Sequence, residues 1–371
     1  MDRGDSVIDR LLDLTLQIQQ IPAPTFREAR RAAFVRDLFL REGIEQVEID
    51  PAGNVLARLP GVTPDSAPLI VSAHLDTVFP EDTDLTPQRS EERITAPGIG
   101  DNSLGVAALF GLLWRLRERG VSLPGDLWLV ANVGEEGLGD LCGMRALVDR
   151  FGASPRAYLV LEGMAFGHIY HRGIGVRRYR ITTHAAGGHS WTDYGKPSAI
   201  HELAELTSRI SALKLPEHPR TTLNVGRIWG GTSINTVAAE AALELDMRSE
   251  DAASLESLVR RVDELVVAAH KPGVSMETEL IGDRPPGVIP PDHPLIQLAE
   301  SCLRGLGESP SLIGGSTDAN VPLSRGYPAL VLGLTKGSGA HTTKESINLE
   351  PLERGLESVA QFVGRAWDSP A

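Results

Sequence analysis

Two different spacings of apolar residues divide the chain. Short runs that are apolar at nearly every position (69–73, 127–132 and 157–161) alternate with stretches of helical periodicity near 106–117 and 144–151. Such runs fit strands covered on both faces, and their alternation with helices predicts a mostly parallel sheet. Upstream, TFRE (25–28) has the form of a capping box opening a helix that Gly43 stops, and DPAGN (50–54) makes a turn between two short strands. From about Gly173 the pattern becomes an alternation of apolar and polar residues in GVRRYRITTHA, TTLNVGRIWGG and TVAAEAALELDMR, with helices expected over 197–210 and 252–269. Strands with one wet face and helices on the other make a small α+β layer. After GDRPPGVIPP the first pattern returns, with a strand at 329–334 and a last helix near 352–367. The chain therefore reads as an α/β domain, 1–172 plus 283–371, interrupted by an inserted α+β domain over 173–282.

Length and composition fit this two-domain reading: 371 residues, 42% hydrophobic and 23% charged, are ordinary for a soluble globular protein. A net charge of −13 without any Lys/Arg run argues against a nucleic-acid partner. The start, MDRGDSVIDRLLDL, lacks the basic leader, apolar core and small-residue cleavage site of a signal peptide, and no apolar run is long enough to span a bilayer. Cys142 and Cys302 make no disulfide framework, so a reducing, cytoplasmic setting is expected.

Chemistry gathers where the apolar runs end. In open α/β sheets ligands collect at the carboxyl ends of the strands. LIVSAHLDTVFP places His74 and Asp76 there, LWLVANVGEEGLGD places Glu135 and Glu136, YLVLEG places Glu162, and LGLTKGSGAHTTKE places His341. APGIGDNSLGVAAL adds Asp101 in a glycine-flanked turn before a helix. Each of these alone reads as a turn or helix cap. Five such places offering imidazole or carboxylate point instead to a metal site, and a donor set without thiolate suits zinc, with manganese or cobalt as alternatives. So many carboxylates with two histidines imply two ions sharing a bridging carboxylate. HExxH and GxSxG are absent, and GIGDNSLG is a poor dinucleotide fingerprint.

HLDTV, GDN, GEEGLGD, LEG and GAH together resemble the motifs of the dinuclear zinc exopeptidase family, which includes peptidase T, carboxypeptidase G, aminoacylase, acetylornithine deacetylase and succinyl-diaminopimelate desuccinylase. The order and spacing match over essentially the whole chain. The resemblance implies a catalytic domain with a mostly parallel central sheet flanked by helices, and an inserted ferredoxin-like lid or dimerisation domain. It implies that His74, Glu162 and His341 are terminal ligands, that Asp101 bridges two divalent ions, most readily Zn²⁺, and that Glu136 binds one of them. Asp76 would fix the His74 tautomer, and Glu135 would be the general base acting on a metal-bridging water. A cis peptide at Asp101–Asn102 is expected, although many relatives carry Asp where this chain has Asn102.

In the insertion, HAAGGHSW carries His189, which matches a histidine that stabilises the tetrahedral oxyanion, often across a dimer interface. Asn235 matches an asparagine near the substrate, and Arg284 resembles an arginine that grips a substrate carboxylate. GGSTDAN (314–320) matches a pocket loop, and equally reads as a helix N-cap. His168, His171, His184, His201, His218, His270 and His293 lie off these motifs.

The activity expected is metal-dependent hydrolysis of a peptide or N-acyl amide bond in a small substrate, by a carboxypeptidase-G-like exopeptidase that dimerises through the insertion. The alternatives are an N-acyl-amino-acid deacylase or a peptidase-T-like di- or tripeptidase. A non-catalytic binding protein on the same scaffold would have lost a ligand or the base, and every matched position here is chemically competent.

Overall fold

The structure is a computed structural model that describes residues 6–368. They form two compact units, one made of the residues up to 173 and from 288 onward, the other of 174–287.

In the first unit the apolar runs become neighbouring strands. Leu127–Asn132, Leu69–His74, Ala157–Glu162 and Ala329–Gly333 lie side by side in that order, all parallel. Leu69, Val71, Leu129, Leu159 and Val331 are wholly buried, as strands covered on both faces require. The margins are different. The hairpin Gln46–Ile49/Val55–Leu59 adds to one side antiparallel, and His168–Gly173 adds to the other antiparallel to Ala329–Gly333. The sheet is thus parallel at its centre and mixed at its edges. The Asp50 carboxylate ties the hairpin turn by accepting the N–H groups of Ala52, Gly53 and Asn54. The helix Gly105–Glu118, buried over most of its length, packs on the central strands and against the helices Val7–Gln19 and Leu352–Arg365.

One local expectation fails, and one helix was not foreseen. TFRE forms no capping box: the next helix runs Ala29–Arg41 with Glu28 at its N-cap and no side-chain cap. Thr25 Oγ1 instead donates to Asp76 Oδ2 at 2.9 Å, and Glu28 Oε1 accepts the N–H of Phe26 at 3.1 Å and of Gly134 at 3.2 Å. Tertiary partners outcompete the local cap. The helix Pro294–Gly305 has no counterpart among the expected elements, although Pro294 at its first turn behind His293 is a recognisable start signal.

The second unit follows the order strand Gly175–Ala185, helix Ala199–Ser211, strands Thr221–Gly230 and Glu240–Ser249, helix Ala252–Ala268, strand Val274–Arg284. Its sheet runs Thr221–Gly230, Glu240–Ser249, Gly175–Ala185, Val274–Arg284, antiparallel throughout. This is the βαββαβ ferredoxin-like topology. Ile181, Leu243, Leu245 and Met247 meet Leu203, Leu206, Leu258 and Val262 in its core. TVAAEAALELDMR is two strands, because Thr236–Val237 leaves the sheet to pair with Gly188–His189. The last strand continues through Arg284, so the residues just after 282 stay in this sheet.

Candidate metal centre

The parallel strands deliver their chemistry at one edge. His74 and Glu162 are the last residues of their strands, and Glu135 and Glu136 lie in the turn just after Leu127–Asn132. Asp101 sits in the tight turn Ile99–Leu104 that leads into Gly105–Glu118, and its peptide bond to Asn102 is cis, as expected. His341 follows Ala329–Gly333 in a loop, at a φ of +63°.

Distances organise these groups into two donor sets that share one residue. His74 Nε2 lies 3.1 Å from Asp101 Oδ1 and 3.9 Å from Glu162 Oε2. His341 Nε2 lies 3.1 Å from Asp101 Oδ2 and 3.2 Å from Glu136 Oε1. Each oxygen of Asp101 therefore faces a different imidazole. Ligand atoms of His74, Asp101 and Glu162 lie within 4.8 Å of one another, as do those of Asp101, Glu136 and His341. Glu135 forms a further such set with His74 and Glu136.

Oxygen and nitrogen donors around a tetrahedral ion at ~2.0–2.2 Å are separated by about 3.4 Å, so the observed spacing suits a divalent cation in each set. The Glu136 Oε1 atom is fully buried and, among the described residues, has no hydrogen-bonding neighbour beyond His341 Nε2, which leaves it free to coordinate an ion. The residues fit two divalent ions.

Hydrogen bonds beneath the donors hold them in place. His74 Nδ1 lies 3.0 Å from the Asp76 carbonyl oxygen and 3.5 Å from its Oδ1. A carbonyl oxygen only accepts, so Nδ1 carries a proton, and Nε2, once it gives up its own, directs a lone pair at the cluster. The Asp76 carboxylate is mainly engaged elsewhere: Oδ1 accepts the N–H of Glu135 at 3.0 Å, and Oδ2 that of Glu136 at 2.8 Å. One buried residue thus fixes the ring with its carbonyl and the paired-glutamate turn with its side chain.

Asn102 answers the question raised by its departure from Asp. Its Nδ2 donates to the Leu161 carbonyl at 2.8 Å and its Oδ1 accepts the Gly163 N–H at 3.1 Å, straddling Glu162. A carboxylate could make only the second bond. Gly163 is equally constrained: a Cβ there would lie 2.1 Å from the Gly100 carbonyl oxygen. Gly163→Ala is therefore expected to destabilise the fold by about 1–3 kcal/mol, read as a lower denaturant midpoint, and to weaken metal binding because it displaces the turns of both Glu162 and Asp101.

The protonation pattern reflects crowded carboxylates. Burial pushes Glu162 up to about 8, reinforced by the Asp101 charge and opposed by His74. Asp101 is held well below the usual carboxylate range: burial would raise it, and the hydrogen bonds from His341 and His74 outweigh that. Its contacts with the Asp101 and Glu136 carboxylates in turn push His341 up to about 10. Cation binding requires neutral imidazole and ionised carboxylate, so it is coupled to proton release.

Sequence reasoning passed over Glu345, and took Glu28 only as part of a capping box and Asp318 as part of a pocket loop or helix N-cap; all three are buried. Glu345 Oε1 accepts the N–H groups of Gly100 and Asp101, and burial pushes its carboxyl up to about 7. Asp318 Oδ2 accepts from Asn132 Nδ2 at 2.7 Å. Within GGSTDAN, Thr317 N donates to Asn320 Oδ1 and Thr317 Oγ1 accepts from Ala319 N, the local bonding of a helix start. Acidic residues near the motifs were the available signal, and sequence alone does not distinguish these from surface charges.

The remaining candidates lie in the second unit. His189 is exposed, and its Nδ1 accepts the Trp191 N–H at 3.2 Å, which leaves Nε2 as the N–H donor of a neutral ring. Asn235 is its neighbour, with its carbonyl accepting the Ser190 N–H at 3.0 Å. Arg284 is buried at the end of its strand, opposite Val176, and is no solvated loop arginine. Of the histidines off the motifs, His184 faces Glu240 and Glu277, His171 Nδ1 meets the Ile289 carbonyl, and His293 caps a helix.

Residues 70–365 match the peptidase family M20/M25/M40. The chain belongs to that family. It is a hydrolase, and the family resemblance drawn from the motifs holds. Succinyl-diaminopimelate desuccinylase of Corynebacterium glutamicum is 26% identical over 97% of this chain and 96% of its own length. Acetylornithine deacetylase of Klebsiella pneumoniae is 27% identical over 80% of this chain and 79% of its own. In fold, a tripeptidase of Staphylococcus aureus is similar with a TM-score of 0.82 at 23% identity, covering 98% of this chain and 99% of that one. That likeness of fold extends over the residues of both units. Among the described residues no helix is long and apolar enough to cross a membrane.

Proposed function

We propose that this enzyme hydrolyses a peptide or N-acyl amide bond in a small substrate, as an exopeptidase resembling carboxypeptidase G, with two zinc ions as cofactors. The observation that carries the reading is Asp101, whose two carboxylate oxygens each lie 3.1 Å from a different histidine. In this reading His74 and Glu162 complete one donor set, Glu136 and His341 the other. Bound there, the ions supply Lewis acidity that polarises the scissile carbonyl and makes a water nucleophilic near neutral pH.

The chain's own groups do the rest. Glu135, its backbone N–H held by Asp76, takes the proton from the attacking water and passes it to the leaving amine. Asp76 keeps both glutamates of the turn in register and keeps the His74 lone pair directed at the cluster. His189 Nε2–H stabilises the developing oxyanion, and Asn235 beside it contacts the substrate. Arg284 is the candidate partner for a substrate carboxylate, through the bidentate fork of its guanidinium.

The inserted unit serves as a lid and as the surface of a homodimer: its edge strand Thr221–Gly230 exposes Ile228 and Trp229, which support pairing between copies. The two free cysteines support a cytoplasmic, reducing setting.

A second reading, deacylation of N-acyl amino acids, is favoured by the similarity to succinyl-diaminopimelate desuccinylase and acetylornithine deacetylase. Zinc-loaded enzyme assayed on N-acyl amino acids, dipeptides and tripeptides separates the two. One class is expected to exceed the others in kcat/KM by at least ~10-fold, the scale on which one well-placed substrate contact discriminates. Wild-type protein that takes up fewer than two ions per chain, or cleaves no amide, overturns the proposal.

A further inference from the structure

The segment that carries Asp101 is not held by regular helical bonding. Within Ile99–Leu104 the backbone departs from helical values at Asp101 (φ −113°, ψ 86°) and Asn102 (φ −133°, ψ 38°). A carboxylate from far along the chain holds it. Glu345 is completely buried, and its Oε1 accepts the N–H of Gly100 at 2.7 Å and of Asp101 at 2.8 Å.

The same short stretch is tied to this turn at two more points. The Glu345 carbonyl accepts the Ala96 N–H at 2.9 Å, and Ser346 pairs with Thr95 in a small antiparallel ladder. Four residues before Glu345, His341 Nε2 lies 3.1 Å from Asp101 Oδ2. The segment 341–345 therefore grips Asp101 from both ends, its backbone through Glu345 and its carboxylate through His341.

We propose that Glu345 is a positioning residue for the metal centre: by accepting two adjacent backbone N–H groups on one oxygen, it sets the rotation of Asp101 in which Oδ1 faces His74 and Oδ2 faces His341. Glu345 itself binds neither substrate nor ion. Two N–H donors converging on a single buried point need an acceptor oxygen there, and the Glu345 side chain supplies it. Their loss would leave both donors unpaired inside the protein and free the turn to rotate. This inference rests on reading Asp101 as the ligand shared by two ions.

The test compares wild type with Glu345→Gln, which keeps an acceptor oxygen and removes the charge, and with Glu345→Ala, which removes both. Zn²⁺ affinity is measured on chelator-stripped protein by competition with a chromophoric chelator. Backbone hydrogen–deuterium exchange over residues 96–105 is followed by mass spectrometry on the same samples. Glu345→Ala is expected to bind zinc about 10–100-fold more weakly, and Glu345→Gln to stay within about threefold of wild type, on the scale set by second-layer partners of metal ligands. Exchange should rise in Glu345→Ala at 99–102 and stay unchanged in the second unit.

If Glu345→Ala does not accumulate as folded protein, Glu345→Asp, one methylene too short to reach both donors, takes its place with the same expected local rise in exchange. Wild-type zinc affinity in the Ala variant, or equal losses in the Ala and Gln variants, overturns the proposal. So does a rise in exchange spread over the whole chain, since that marks a general scaffold residue. If wild-type protein binds no zinc, the metal reading falls by itself, and the exchange at 99–102 still decides whether Glu345 holds the turn.

Discussion

Replacing Glu135 with Gln is expected to lower kcat by about 10²–10⁴ with two ions still bound, the range a general base contributes. The two side chains have the same shape, and the Glu135 backbone N–H stays on Asp76 Oδ1 in either case, so the turn has no reason to move. What disappears is the capacity to take a proton. KM is expected to change little, because a base acts in the transition state and adds little to ground-state binding. Steady-state kinetics on the preferred substrate, alongside metal analysis of the same preparation, checks both halves. Metal analysis matters because Glu135 also lies within ligand distance of His74 and Glu136. If the variant loses an ion, Glu135 is a ligand and another group must serve as base. Full activity with two ions would remove it from the mechanism altogether.

The neighbouring glutamates show what the sequence could and could not reveal. Read alone, the adjacent like charges of Glu135 and Glu136 pass for a solvated turn, and what marks them is their place at the end of a buried strand beside other imidazoles and carboxylates at strand ends. His74, Glu162 and His341 were legible for the same reason, since strand ends in a parallel sheet are where ligands collect. The parallel centre of the sheet was legible because its runs are apolar at nearly every position. Its antiparallel margins were not, since a strand at the edge has the same composition whichever way it runs.

The layer beneath the candidate donors was largely invisible. Glu28, Asp318 and Glu345 are ordinary acidic residues in sequence, and their role comes from long-range contacts: Glu345 meets Gly100 from 245 positions away. Asp76 was legible as a partner of His74, but not its shorter contacts with the two backbone N–H groups of the GEEG turn. Thr25 was misread because its hydroxyl can cap a helix or bond a distant carboxylate, and only the folded chain brings Asp76 to it. Side-chain chemistry at element ends can be read from one sequence. The backbone groups that chemistry will meet cannot.

Asp101→Asn is expected to abolish the binding of both ions, where losing any other ligand should cost one. Asp101 alone belongs to both the His74/Glu162 set and the Glu136/His341 set, so its neutralisation removes an anionic donor from each. The amide keeps the volume of the side chain, and the Gly100 and Asp101 N–H groups keep their acceptor on Glu345, so the turn should survive. The measurement is the unfolding free energy with and without saturating Zn²⁺. An ion present at 100–1,000 times its Kd adds about 2.7–4.1 kcal/mol per site to a protein whose unfolded chain does not bind it. Wild type should gain roughly twice that figure, His341→Ala and Glu162→Ala roughly one site's worth, and Asp101→Asn close to none. A graded series of this kind is what a shared carboxylate predicts and what two independent sites do not. If Asp101→Asn retained one full increment, the two sites would not share Asp101, and its position between two imidazoles at equal distance would have to be explained by ion pairing with the protonated rings.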